Sequence, residues 1–275
     1  MRFAICNETF APLGGTDPWP WERICAFLAE TGYDGVEIAP FTFAPDVREI
    51  DADRRRWIRR VADDHGLAIV GLHWLLVSPP GLHIHCVDPV RRSKTVDYLR
   101  ALIDFAGDVG APTLVLGSPK ARTLEDSDRI GARRRTLETL SSLIPDLEAA
   151  GAVLCPEALP GPEADFLLTQ AEAMELVDGI GHPRIAGMLD VKSMSSEPAG
   201  PASLCRTWGG RVVHVHANDA NRRGPGFGET DFHAIAAALR DSGYQGPVSV
   251  EVFDYSPDPE TIARESLRHL KECFA

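Results

Sequence analysis

Eight times along the chain a short apolar run of strand character is followed by a stretch with helical spacing, and no other feature limits the fold so tightly. Residues 2–7, 35–40, 68–75, 112–116, 152–158, 185–191, 212–217 and 248–253 read as the strands. Helical spacing covers 18–31, 51–65, a run from Asp88-Pro89 to about Gly110, one helix ending near Gly151, then 169–177, 200–208, 231–242 and 259–271. Units of this kind, with no linker and no break in composition, predict a single (β/α)₈ TIM barrel domain spanning 1–275. Periodicity does not show whether the sheet closes, so a doubly wound open sheet stands as the alternative. The glycine-rich dinucleotide fingerprint is missing after the first strand, because Gly14-Gly15 sits in a loop without G-x-G-x-x-G.

In a parallel barrel the helix-facing side of a strand is apolar, so a charged residue inside such a run points into the barrel or sits at its mouth. Glu37, His73, Asp190, His216 and Glu251 each stand between two apolar residues, and Glu157 shares the parity of Val153 and Cys155. All six lie late in their runs, the end at which barrels place their chemistry. Unpaired buried carboxylates cost several kcal/mol each, in rough terms, so acids converging on one mouth call for a compensating cation. These six runs hold no lysine or arginine, and Lys192 directly follows the one that ends Asp190-Val191. Glu157, Asp190, His216 and Glu251 thus make a set of three carboxylates and one imidazole on four consecutive strands. Such hard donors suit one divalent ion in a roughly octahedral shell, Mn²⁺ foremost, with Mg²⁺, Co²⁺ or Zn²⁺ as alternatives, and leave two positions open.

The run 211–232, RVVHVHANDANRRGPGFGETDF, combines both signals. Val213 and Val215 alternate with His214 and His216, after which a polar loop carries Arg222 and the Pro225-Gly226-Phe227-Gly228 segment. Taken alone, two strand histidines beside a loop are unremarkable; the acids on neighbouring strands give them meaning.

Composition narrows the function. The net charge of -12 opposes attraction to phosphate backbones, arguing against a nucleic-acid partner. No apolar run is long enough to cross a bilayer and no leader precedes the first strand, which predicts a cytoplasmic protein without a membrane partner. Six scattered cysteines with no C-x-x-C pair read as buried thiols.

These motifs, spread over nearly the whole chain, resemble the xylose isomerase-like TIM-barrel superfamily and, within it, the ketohexose 3-epimerases and related sugar isomerases. The likeness rests on Pro156-Glu157, Leu189-Asp190, His214-Val215-His216 with Asn221-Arg222 and Pro225-Gly226-Phe227-Gly228, and Ser249-Val250-Glu251. It implies Glu157, Asp190, His216 and Glu251 as metal ligands, with Glu163 and Arg222 binding substrate oxygens. The epimerases carry a substrate-binding histidine three residues after the strand-six aspartate, where this chain has Ser193. His73, Lys120 and Lys192 are therefore further candidates for reading a substrate that carries a carboxylate or phosphate, Lys120 and Lys192 being equally compatible with solvated surface lysines.

The expected activity is that of a divalent-metal-dependent isomerase or epimerase acting on a small carbohydrate. Glu157 and Glu251 would pass a proton beside a carbonyl through an enediolate. A keto-sugar lyase or deglycosidase would use the same pair. Abasic-site endonucleases of this superfamily need histidines where Ser193 and Asp231 stand. A non-catalytic sugar-binding barrel would be expected to have lost a ligand. The resemblance also implies a homo-oligomer, dimer or tetramer.

Overall fold

The computed structural model describes residues 1–275, and the apolar runs become strands β1 (Arg2–Cys6), β2 (Gly35–Ile38), β3 (Ala68–Leu72), β4 (Thr113–Leu116), β5 (Val153–Pro156), β6 (Gly187–Asp190), β7 (Val212–Ala217) and β8 (Pro247–Val250). Their order in the sheet is β5-β4-β3-β2-β1-β8-β7-β6. Pairing is parallel between β1 and β2, β1 and β8, β3 and β4, β4 and β5, and β7 and β8. Parallel strands need cover on both faces, and β2, β4, β6 and β8 are buried at every residue. Leu154 in β5 forms a parallel bridge with Ile185, its N–H donating to the Arg184 carbonyl at 2.9 Å and its carbonyl accepting from the Ala186 N–H at 3.1 Å. The strand at one end of the order is thereby tied to the residues that run into the strand at the other. This is the (β/α)₈ pattern, and the open-sheet alternative falls away.

The helices are α1 (Trp21–Thr31), α2 (Ala52–Asp64), α3 (Pro89–Val109), α4 (Arg129–Ser141), α5 (Ile144–Ala150), α6 (Gln170–Ile180), α7 (Val191–Met194), α8 (Pro201–Trp208), α9 (Phe232–Asp241) and α10 (Pro259–Cys273). Local chemistry sets their ends. Asp88 caps α3 by accepting the Val90 N–H at 2.9 Å, Pro89 takes the first helical position, and Gly110 closes it at φ 79°. The single helix expected to end near Gly151 is in fact two, α4 and α5, separated at Ser142-Leu143. Pro145 explains the break: its ring displaces the carbonyl four residues back, and it has no N–H to give, so it is tolerated only in the first turn of a new helix. Strands also stop earlier than their apolar runs, so His73, Glu157 and Glu251 are each the first residue past β3, β5 and β8.

Two compact units share these elements. One comprises Met1–Ile38, Ile58–Val70 and Met188–Ala275; the other comprises Ala39–Trp57 and Gly71–Gly187. The divisions at Val70/Gly71 and Gly187/Met188 fall inside β3 and β6. The first unit buries Ile5, Ile24, Leu28, Phe232, Leu239, Val250 and Leu270; the second buries Leu72, Leu99, Leu102, Phe105, Leu140 and Leu154. All six cysteines are free and buried, as their spacing suggests. No helix is long and apolar enough to cross a membrane.

Candidate metal centre at the ends of β6, β7 and β8

In the first unit the register sets His216 level with Ser249 and, through β1, with Ala4. Side chains of one parity along β7 and just beyond it, His214, His216 and Asn218, are all fully buried. Two imidazoles in an apolar interior need partners, and Glu37 of β2 serves both. Its Oε2 lies 2.9 Å from His214 Nε2 and its Oε1 lies 3.2 Å from His216 Nε2, with all three side chains 0 % exposed. Glu37 was expected among the acids awaiting a cation. Instead the two rings answer it: burial alone would raise its pKa, but the imidazoles outweigh burial and hold it well below the usual carboxylate range.

An ionised carboxylate only accepts, so His216 carries its proton on Nε2 and presents a lone pair at Nδ1. That atom sits 3.2 Å from Glu251 Oε2. A carboxylate behind one ring nitrogen, with the other aimed at acid oxygens, is the support geometry of metal-binding histidines. Asp190, the last residue of β6, completes the group: one donor atom each from Asp190, His216 and Glu251 lies within 4.8 Å of the others.

Asn218 spans these acids. Its Nδ2 donates to Asp190 Oδ2 at 2.7 Å and to Glu251 Oε2 at 3.3 Å, while its Oδ1 accepts the Lys192 N–H at 2.8 Å. Asp190 also caps α7, its Oδ1 accepting the Ser193 N–H at 2.6 Å. Lys192 and Ser193 are thus buried on a helix that starts directly at the acid. The Ser193 hydroxyl makes no hydrogen bond. Lys192 Nζ stands 4.7 Å and the Arg222 guanidinium 5.4 Å from the centre of the Phe253 ring, so one half-buried aromatic face gathers both cations. Arg222, exposed at φ 73°, is anchored through its carbonyl by the Phe253 and Asp254 N–H groups at 2.9 and 3.0 Å. Below the acids, the Cys6 thiol is 3.7 Å from Glu37 Oε2 and from Ser249 Oγ, and burial, then the charge of Glu37, pushes it well above the usual thiol range. It is a packed thiol, not a thiolate.

The remaining candidates belong to the second unit. Glu157 is buried just beyond β5, and its carbonyl accepts from Arg122 Nη1 at 2.5 Å. Glu163 is half-buried in the loop that follows. His73 is buried beside Trp74, itself at φ 54°. Lys120 is exposed on the short turn Pro119–Arg122.

Sequence reasoning missed the work of Glu37 and His214, and it missed Asn218. The last was findable: Asn218 continues the two-residue period of His214 and His216.

A model of the xylose isomerase-like TIM barrel family matches residues 25–273. Among curated proteins, a D-psicose 3-epimerase of Enterocloster bolteae is 36 % identical over 128 residues, 46 % of this chain and 42 % of that protein. Two further D-psicose 3-epimerases likewise match over less than half of their own length. A 3-dehydro-D-guloside 4-epimerase of Escherichia coli is 30 % identical over 99 % of this chain and 100 % of its own. Among solved structures, a D-psicose 3-epimerase determined in the presence of D-fructose superposes with a TM-score of 0.84 at 21 % identity, covering 100 % of this chain and 99 % of the other.

Proposed function

The chain belongs to the xylose isomerase-like TIM-barrel family, and on that footing we propose that it is a divalent-metal-dependent isomerase or epimerase that moves a proton beside the carbonyl of a small keto- or aldo-sugar or derivative. The donor set carries the reading: Asp190, His216 and Glu251 form a group whose ligand atoms all lie within 4.8 Å, two hard carboxylates and one imidazole supported from behind by Glu37, and Glu157 is the fourth ligand proposed. Mn²⁺ is the ion proposed. When bound, it polarises the carbonyl and the adjacent hydroxyl and so acidifies the C–H between them.

The chain's own residues do the rest. Glu157 and Glu251 take and return the proton; acting from opposite faces they invert one carbon, and acting on neighbouring carbons they interconvert aldose and ketose. Asp190, held by the Ser193 N–H and Asn218, is oriented as a ligand. Glu163, Arg222, Lys192, Lys120 and His73 bind substrate oxygens, with Phe253 as the platform on which Lys192 and Arg222 are held. Ser193 leaves a small hydroxyl where ketohexose 3-epimerases have an imidazole, which favours a substrate outside the plain ketohexoses. The same reading carries one domain over 1–275, a cytoplasmic location, a dimer or tetramer, and no nucleic-acid or membrane partner.

The test is turnover in D₂O with a panel of ketoses, keto-glycosides and hydroxy-keto acids. Deuterium should enter at the carbon beside the carbonyl, and Glu157→Gln and Glu251→Gln should each lose about 10²- to 10⁴-fold in rate. Turnover without exchange, with both variants active, refutes the proposal. A substrate that leaves as two fragments identifies a lyase or deglycosidase instead.

A further inference from the structure

Resting on the reading of Glu157 as ligand and proton carrier, we infer that Gly117 and Arg122, in the loop after β4, are the positioning residues that hold it, one by absence of a side chain and the other by a buried guanidinium. Glu157 follows β5 directly and its N–H donates to the Leu116 carbonyl at 3.2 Å, so its backbone runs alongside Gly117. A methyl group on Gly117 would overlap Glu157 Oε2, and no other group stands in its way. The carboxylate therefore lies on the bare Cα of Gly117. Since the obstacle is the end of a flexible side chain rather than backbone, an added methyl shifts the carboxylate while leaving the fold intact.

Arg122 fixes the other end of the same residue. Its Nη1 donates to the Glu157 carbonyl at 2.5 Å, and at 3 % exposure it is a buried cation. Its Nε and Nη2 make no hydrogen bond, so the bond to Glu157 is what this guanidinium has in exchange for its lost hydration. The backbone that carries this side chain is itself braced. His85 Nε2 lies 2.9 Å from the Arg122 carbonyl, and the Ala121 carbonyl accepts the Ile84 N–H at 2.8 Å. Burial pulls its pKa down to about 10, against the charges of Glu157, then Asp165, Glu163 and Glu172, which favour the protonated form; it is also the buried cation nearest the backbone of the proposed ligand. An arginine serving only to staple the loop would affect stability; one that aims Glu157 must affect the metal.

The experiment titrates the parent, Gly117→Ala, Arg122→Met, Arg122→Lys and Glu157→Gln with Mn²⁺, read by electron paramagnetic resonance, and records the thermal melting of each without metal. Gly117→Ala should weaken Mn²⁺ binding about 10- to 100-fold with melting unchanged. Arg122→Met should weaken it similarly, and Arg122→Lys, which keeps a donor and the charge, should restore most of it. If Glu157→Gln loses affinity while Gly117→Ala and Arg122→Met bind as the parent does, whatever their melting, the positioning role is overturned and the ligand reading stands. If Glu157→Gln binds Mn²⁺ like the parent, the ligand reading falls and this inference falls with it. Should Gly117→Ala not fold, the Met and Lys variants of Arg122 decide the matter between them.

Discussion

Glu37 Oε1 lies 3.2 Å from His216 Nε2, with both side chains fully buried, so the proton on His216 is held on the nitrogen that faces away from Asp190 and Glu251. Replacing Glu37 by Gln keeps the shape and removes the charge. An amide can satisfy one ring with its oxygen, but its nitrogen offers a hydrogen to the other, which then has to turn its tautomer around. Metal affinity should fall about 10- to 100-fold. Losing a buried hydrogen bond to a charged group should also cost roughly 1.5–3 kcal/mol of stability. Isothermal titration with Mn²⁺ and chemical unfolding measure the two effects, and a variant that binds metal as the parent does would show that Glu37 has no part in the centre.

Asn218 is the neutral spacer between two acids, donating to Asp190 at 2.7 Å and to Glu251 at 3.3 Å. Asn218→Asp is nearly isosteric but exchanges two donated hydrogen bonds for repulsion. The metal-free variant should be less stable by about 1–3 kcal/mol. A bound cation screens the added charge, so Mn²⁺ should close much of the gap. Scanning calorimetry with and without the ion tests this, and a deficit that the ion leaves untouched would separate Asn218 from any metal.

How much of this was legible beforehand depends on what alternation encodes. Period-two spacing assigns a face, so His216, Asp190 and Glu251 were readable as inward residues, and the eightfold strand-helix repeat was readable as a barrel. Depth along the strand is not encoded. His214 and His216 are offset by about 6.6 Å along β7, and that one residue of β2 would meet both depends on the β1–β2 and β1–β8 registers, which no local pattern specifies. The same blindness made Glu37 look like a lone acid. Asn218 lay outside the apolar run, where the period was no longer followed. In the helices, Pro145 stands in the sequence where the run divides into α4 and α5, and its missing N–H is the physical signal of that break.

His83 and His85 give the second unit a pH dependence of its own. Their rings meet edge to face at 4.8 Å, and both are buried. Burial, the largest cause, pulls both pKa values below the ordinary histidine value despite the backbone carbonyls of Thr123 and Arg122. A group whose folded pKa is depressed binds its proton more readily in the unfolded chain. Stability from this source is therefore fully present above about pH 6.5 and declines as pH falls toward the folded pKa values. Urea unfolding between pH 5 and 7 should show that slope in the parent, and a His83→Gln, His85→Gln double variant should show a shallower one. An unchanged slope would assign the acid sensitivity elsewhere.

The loop that presents Arg222 hangs on Asp219, a buried carboxylate whose Oδ1 accepts the Ala220 N–H at 3.1 Å, the Thr230 N–H at 3.2 Å and the Thr230 hydroxyl at 2.6 Å, and whose Oδ2 accepts the Gly228 N–H at 2.9 Å. Its backbone closes the turn as well, with the Arg222 N–H on its carbonyl at 2.9 Å and its own N–H on the Arg223 carbonyl at 2.8 Å. A methyl group on Gly228 would overlap the Asp219 carboxylate, which, unlike a free side-chain end, is held by four donors and cannot swing aside without releasing them. Gly228→Ala should therefore loosen residues 219–230 by about 1–3 kcal/mol. None of the centre's ligands sits in that loop, so metal affinity should hold. Because Arg222 is proposed to grip the substrate and not to move the proton, KM should rise several-fold with kcat nearly constant. Hydrogen exchange across the loop, run beside steady-state kinetics, separates the cases. Faster exchange with an unchanged KM would mean that Arg222 does not hold the substrate, whereas a fall in kcat at constant KM would give the loop a share in the chemical step.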